Sequence, residues 1–322
     1  MAVRRAQVLG LIGAVILLIG LASWGIVTVL NRAGELPEAS VSVEAKRPDG
    51  GSPSDADLDR ARQVLLTRMR TANVEDPQVE RDGDRLVLRG RGAGETMLRE
   101  LVGTGELRFR RVLATVFAGQ PMTGALPEQP ADAARPAVAD RLGEAYAAAA
   151  AVQDVDQGKA LPSSVASAFS ALSAADVATL PLRMRLLVPG VTCAQLTDVG
   201  AVDETVVACD KEGTKYLLDK ARVTGADIGG ATPSLGPGGQ WTVNVRFTAD
   251  GQRRFTELSR ELAPQREQLG IVLDALVVSA PAIQSEITGE VQVSGNLSQY
   301  QTEVLAGQLA GGELPVRLTV IS

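Results

Sequence analysis

Apolar and polar positions alternate most clearly toward the end of the chain. Trp241, Val243, Val245 and Phe247 alternate with Thr242, Asn244 and Arg246, the period of a strand with one buried face. The polar turn Thr248-Ala249-Asp250-Gly251 follows. Phe255, Leu258 and Leu262 then recur at helical spacing until Pro264 stops the helix. Residues 269–273 and 276–278 read as two short buried strands joined through Asp274-Ala275. Ser298 and Gln301 have capping-box spacing. Val304, Leu305 and Leu309 give that second helix an apolar face, and Gly311-Gly312 sit where a left-handed cap belongs. A last strand alternates Val316, Leu318 and Val320 with Arg317 and Thr319. The order strand, helix, hairpin, helix, strand predicts an α+β layer with helices on one face of a sheet.

The first half is similar in kind. Val41, Val43 and Ala45 alternate with Ser42 and Glu44, and Pro48-Asp49-Gly50-Gly51 breaks that strand. Ser54 and Asp57 form a second capping box, leading into a helix with the buried stripe Leu58, Ala61, Leu65, Met69 and Ala72. Residues 79–81 and 86–88 flank Asp82-Gly83 as a hairpin. Met97, Leu98 and Leu101 predict a short helix, and residues 107–113 a strand. Residues 114–180 are dominated by Ala, Pro, Asp and Gln and read as a mobile connector with little to bury. From Leu182 the alternation of Leu182, Met184, Leu186 and Val188 with Arg183, Arg185 and Leu187 reads as a strand.

Residues 6–30 carry no charge. About 25 residues at a rise of ~1.5 Å span the ~30 Å hydrocarbon core of a bilayer. Arg4 and Arg5 precede the run, so the expected topology is a cytoplasmic tail over 1–5, one membrane helix over 6–30, and the rest outside the cytosol. A cleaved signal peptide is the alternative, with an apolar core from Leu9 to Leu21 and small residues at Gly20 and Ala22. The apolar run continues through Ile26, Val27, Val29 and Leu30, which favours the anchor. No titratable group lies inside the span, so no proton path is expected from this chain alone.

Composition narrows the function. The 322 residues carry a net charge of −6, which argues against a nucleic-acid partner. Hydrophobic residues make up 45% and aromatics 3%, so the core is aliphatic. Histidine is absent, removing the commonest general base and metal ligand. Ser279 has no activating context, and Asp274, Asp250 and Glu286 read as turn and helix carboxylates rather than an acid pair. The chain is therefore expected not to be an enzyme and to need no cofactor. Cys193 and Cys209 are the two cysteines. Outside the cytosol such a pair most often forms a disulfide, whereas zinc binding lacks histidine and the spacing is not a redox C-x-x-C. A loop of this length is worth roughly 3 kcal/mol on the chain-entropy model.

Several of these segments carry a resemblance. FTADGQRRFTEL, IVLDALVVSAPAI and VSGNLSQYQTEVLAGQLAGGELPVRLTV are similar to the first extracytoplasmic (P1) domain of SecD, an accessory subunit of the bacterial Sec export machinery. ARQVLLTRM, VERDGDRLVL and GELRFRRVL match earlier parts of that pattern, and Val223-Thr224-Gly225-Ala226-Asp227-Ile228 resembles the start of its head. There are departures. The D-L-x-G-G run before the first strand is missing, the L-P-G ending the hairpin is replaced by Arg89-Gly90-Arg91, and Ala275 stands where the family has Gly. Because Ala disfavours φ > 0, a looser turn is expected at 274–275.

The resemblance implies a ferredoxin-like base with an inserted α+β head. The base-like segment is then 36–113, the connector 114–180, the head-like subdomain 181–290, and 291–322 the closing helix and strand. It further implies a head that moves and contacts emerging polypeptides or Sec translocon components. A structural or interaction protein of the cell envelope that reuses the fold is the competing expectation.

Overall fold

The computed structural model describes residues 37–117, 120, 122–126, 137–198, 200–236, 238–294 and 297–321. The expected membrane span at 6–30 lies outside them. No helix among the described residues is long and apolar enough to cross a membrane.

The chain opens with β1 (Glu38–Lys46), α1 (Asp55–Thr71), β2 (Glu75–Asp82), β3 (Arg85–Arg91) and α2 (Glu95–Leu101). The Ser54–Asp57 capping box forms on α1, with Ser54 Oγ accepting from the Asp57 N–H at 3.2 Å. Asn73, at φ 56°, turns the chain out of the helix. The β2–β3 hairpin closes through Gly83-Asp84, one residue later than the sequence suggests. Asp82 pairs with Arg85, and Gly83 supplies the positive φ of 61°.

Next come β4 (Leu107–Val116) and β5 (Thr123–Gly124). The stretch expected to be a mobile connector is then folded. It forms α3 (Val138–Leu142), α4 (Glu144–Ala150), α5 (Val155–Lys159), α6 (Ser163–Ser170) and α7 (Ala174–Ala178). Each helix is short and buries one or two side chains, among them Val138, Ala149, Val155, Val165, Phe169 and Val177. So few apolar positions per turn leave no periodic stripe to read. Residues 182–187 are likewise a helix, α8 (Leu182–Leu187), not a strand. Leu187 is buried beside Met184, Leu186 and Val188, which breaks the alternation a strand requires.

The head then continues through β6 (Val206–Cys209), β7 (Lys215–Thr224), β8 (Ile228–Leu235), β9 (Trp241–Phe247), α9 (Ala249–Leu262), β10 (Leu269–Leu273), β11 (Leu276–Ser279) and β12 (Val291–Ser294). The chain closes with α10 (Gln299–Gly311) and β13 (Arg317–Val320).

Three sheets result. The base sheet has the order β13-β1-β3-β2, antiparallel throughout. With α1 after its first strand and α10 before its last, this is the ferredoxin-like arrangement that the resemblance implies. The other strands lie between those base elements, so the head is an insertion. A small sheet, β12-β9-β8, backs the head. In the third sheet β4 pairs with β7 on one edge and β10 on the other, and β10-β11-β6-β7 completes a ring. Although expected as part of the base-like segment, β4 is thus a strand of the head.

Alternation in the ring feeds three cores. Val206, Ala208, Leu218, Val272 and Val277 line its inside. Outward residues Leu107, Phe109, Leu269 and Ile271 pack with α9, α10 and the small sheet. On the other side Ala114, Val207, Cys209 and Leu217 pack under the helical cap of α3–α8. Phe109, Phe247 and Phe255 meet with ring centroids 4.6–5.9 Å apart, adding a cluster of aromatic contacts to an otherwise aliphatic interior.

The β10–β11 hairpin is tight, not loose: Leu273 pairs with Leu276 across a two-residue turn. Asp274 takes the positive φ, 55°, and Ala275 does not. Asp tolerates the left-handed region where Ala is strained, so the turn forms without a glycine.

Candidate functional site

The chain passes from base to head at residues 103–106, and the α10–β13 connection at 312–316 runs beside that crossing. The two segments touch, with the Leu314 N–H donating to Thr104 O at 3.0 Å. Arg68, in the last turn of α1, lies beneath them at 0% exposure. Its guanidinium donates to Leu101 O at 2.6 Å, to Gly103 O, to Thr104 O at 3.0 Å and to Gly312 O at 2.6 Å. Leu101 ends α2 and Gly312 caps α10, so two helix C-termini converge on one cation carried by the last turn of a third helix. Those ends carry unpaired carbonyls and the negative pole of the helix dipole. This surrounding of carbonyls stabilises a buried charge that has no salt-bridge partner among the described residues; burial pushes its pKa down to about 10, and the Asp274 carboxylate offsets part of that cost.

Glycines make the room. A Cβ on Gly105 (φ 73°) would overlap the Arg68 guanidinium, and one on Gly311 would strike the Arg68 stem. Gln308 Nε2 donates to Glu100 O at 2.9 Å, and Asp274 Oδ1 accepts from the Glu106 N–H at 2.9 Å. Helix α10 itself is buried without a break from Thr302 to Leu309. Val304 faces the base core, whereas Leu305, Ala306 and Leu309 face the head core.

A second junction ties the helical cap to the ring. Cys193 and Cys209 form the expected disulfide, with Cα atoms 5.7 Å apart. Lys215, paired with Cys209 across β6–β7, donates to Arg185 O at 3.1 Å and Val188 O at 3.2 Å, at the end of α8. Burial pushes its pKa down to about 8. Gln195 Nε2 donates to Phe169 O and Leu172 O, tying the disulfide loop to α6.

The head's exposed features are fewer. At the tip of the β8–β9 hairpin, Leu235 is 57% exposed and pairs with half-buried Trp241. Gln240 beside them is exposed. The outer face of the small sheet is polar, with Gln292 Nε2 donating to Asn244 Oδ1 at 3.2 Å. Along the sheet, Thr232 pairs with Asn244.

The carboxylates weighed as an acid pair are not brought together. Asp250 pairs with Arg253 in the first turn of α9, whereas Glu286 pairs with Arg260 in its last turn. The Arg260 guanidinium holds Glu286 below the usual carboxylate range. Ser279 Oγ lies 3.5 Å from Ser294 O. Among the described residues there is no group of three or more Cys, Asp or Glu side chains placed to hold a metal ion.

Residues 203–316 match the family model of the SecDF P1 head subdomain. The chain is 32% identical over 133 residues to the protein translocase subunit SecD of Streptomyces coelicolor, covering 38% of this chain and 23% of that protein. To SecD of Elusimicrobium minutum it is 38% identical over 120 residues, covering 37% and 25%. It thus spans about a quarter of the length of these curated relatives. A crystal structure of SecDF in its super-membrane-facing form aligns over 88% of this chain and 29% of the SecDF chain, with 22% identity and a TM-score of 0.48. Across residues 203–316, within the sheets and helices described above, the chain carries a P1 head subdomain of the SecDF kind.

Proposed function

We propose that this chain is an extracytoplasmic SecD-like module, held at the membrane by residues 6–30, that binds polypeptide or a Sec or envelope partner and assists protein export. The match of residues 203–316 to the P1 head carries the reading. The exposed Leu235–Trp241 hairpin tip and the polar face beside it supply a surface of the mixed character that an extended chain can use. On this reading the module binds without catalysis, and residues 6–30 offer no titratable group for proton coupling. Photocrosslinkers at Gln240 and Gln252 in the full membrane-bound chain test it. Capture of polypeptides in transit supports the reading, and absence of such capture while translocation proceeds refutes it.

One observation favours a second reading. The helical cap, residues 137–198, lies outside the stretch matched by the head model and is joined to the ring by its own disulfide. An envelope interaction protein that reuses the fold predicts crosslinks only to fixed envelope partners.

A further inference from the structure

We propose that β12 is a docking edge, at which an extended polypeptide adds as a fourth strand of the small sheet. This rests on the reading that the head binds polypeptide, and assigns that binding to one edge and one mode.

The direction of the backbone bonds carries it. At the β8–β9 turn the Gly236 N–H donates to Gln240 O at 2.9 Å. Bonded pairs in an antiparallel ladder recur at every second residue, so Ser234–Thr242 and Thr232–Asn244 are the bonded pairs of β8 and β9. Thr242 and Asn244 therefore turn to β8. Val243 and Val245 turn the other way and bond to Val293 and Val291 of β12. Gln292 and Ser294 are left to send their N–H and C=O groups outward, away from β9. Ser279 Oγ, 3.5 Å from Ser294 O, lies on that outer side. Among the described residues no strand pairs with this edge, and Gln292 and Ser294 are exposed.

The opposite edge of the sheet is closed to such an addition. Pro233, at an outward position of β8, has no N–H to offer an incoming strand. Strand β12 has no proline, no charge and no bulge, the devices that blunt an edge. A Cβ on Gly289, just before it, would meet nothing within 4 Å, so the approach is open. Half-buried Val278, Ile287 and Val291 form the margin of the head core beside this edge. An added strand lays every second side chain over them and leaves the others beside Gln292 in solvent. Exposed Glu290 enters no ion pair among the described residues, so a cation at one end of the incoming strand suits it. The occupant is thus a segment of alternating apolar and polar residues with a Lys or Arg at one end.

The probe is a labelled peptide of alternating valine and serine with a terminal lysine, and the readout is fluorescence anisotropy with the full detergent-solubilised chain. Gln292→Pro removes one outward N–H and no bond of the β9 ladder, so it should weaken binding about tenfold. Gln292→Ala keeps the backbone and should bind within about twofold of the native chain. Two further peptides, N-methylated on the serine or on the valine amides, probe the native chain itself. Only the set of amides that faces β12 should matter, so one peptide weakens about tenfold and the other binds as before. No binding of the probe by the native chain, undiminished binding by Gln292→Pro, or equal loss from both methylated peptides overturns the proposal. Photocrosslinkers at Gln240 and Ser294 in the membrane-bound chain separate its failure from that of the export reading. Capture of polypeptides in transit at Gln240 with none at Ser294 overturns the docking edge and leaves the reading standing. Capture at neither position, while translocation proceeds, removes both.

Discussion

Two junctions in this molecule meet the same problem with different chemistry. Where base meets head, and where the helical cap meets the ring, a buried cation donates to carbonyls at helix C-termini. At the first, Arg68 reaches four carbonyls, with no covalent link nearby. At the second, Lys215 reaches two, and the Cys193–Cys209 bridge stands beside it. A guanidinium is charged throughout the physiological range and holds several acceptors in one plane. An ammonium is a smaller point charge that gives up its proton when buried. The Arg junction is therefore insensitive to ordinary pH, whereas the Lys junction titrates and relies on its disulfide.

The sharpest way to break this contrast is Arg68→Met. It leaves several buried carbonyls unsatisfied at about 1–3 kcal/mol each, so chemical denaturation of the purified chain should show a loss above about 3 kcal/mol. A loss near zero would mean that water replaces the guanidinium freely. Cys193→Ser with Cys209→Ser comes next, at roughly 3 kcal/mol for this loop length. Its effect should be local, with limited proteolysis cutting first within residues 137–198 while the base stays protected.

The third test is pH. Lys215 has its folded pKa lowered to about 8 from 10.5. Between those values the unfolded chain binds more protons than the folded one, so stability rises with pH. Below pH 8 both states are protonated and the folded state carries the full cost of the buried charge. The gain is on the order of 3 kcal/mol at most, and is cleanest between pH 8 and 10. Above that, Tyr216, pushed up to about 12 by burial, keeps a proton that the unfolded chain gives up. Lys215→Met should flatten the rise in denaturation midpoints across this window, and a rise that persists would place the titration elsewhere. The smallest effect is expected from Ser298→Ala. It removes the cap of α10 at the end away from Arg68 and costs about 1 kcal/mol.

What the sequence reveals differs between the same regions. Base and head elements with caps and long stripes are readable: Ser54–Asp57 and Ser298–Gln301 both form their capping boxes. The ferredoxin-like base comes from the resemblance, because nothing local in β1 says that its partner is β13. The cap is unreadable because helices of five to eight residues bury too little each to show a period. Arg68 carries a signal of its own in the sequence. It lies three residues after Leu65 and four before Ala72, on the buried stripe itself, where a charged residue needs a partner. The Asp274 turn shows the reverse case. The missing glycine correctly marks a constraint, but Asp absorbs it instead of a longer loop.

The pairing of β1 with β13, Val43 opposite Val320, has a consequence for the order in which the molecule assembles. A ribosome delivers residue 43 long before residue 320, so the first strand waits with one edge open while nearly everything else is made. The ring strands, all within residues 107–279, have their partners much sooner. Maturation should therefore proceed from the middle outward, with the inserted lobe forming before the lobe that carries it. During that wait the bare edge of β1 is the place where a nascent copy is most exposed to wrong pairing.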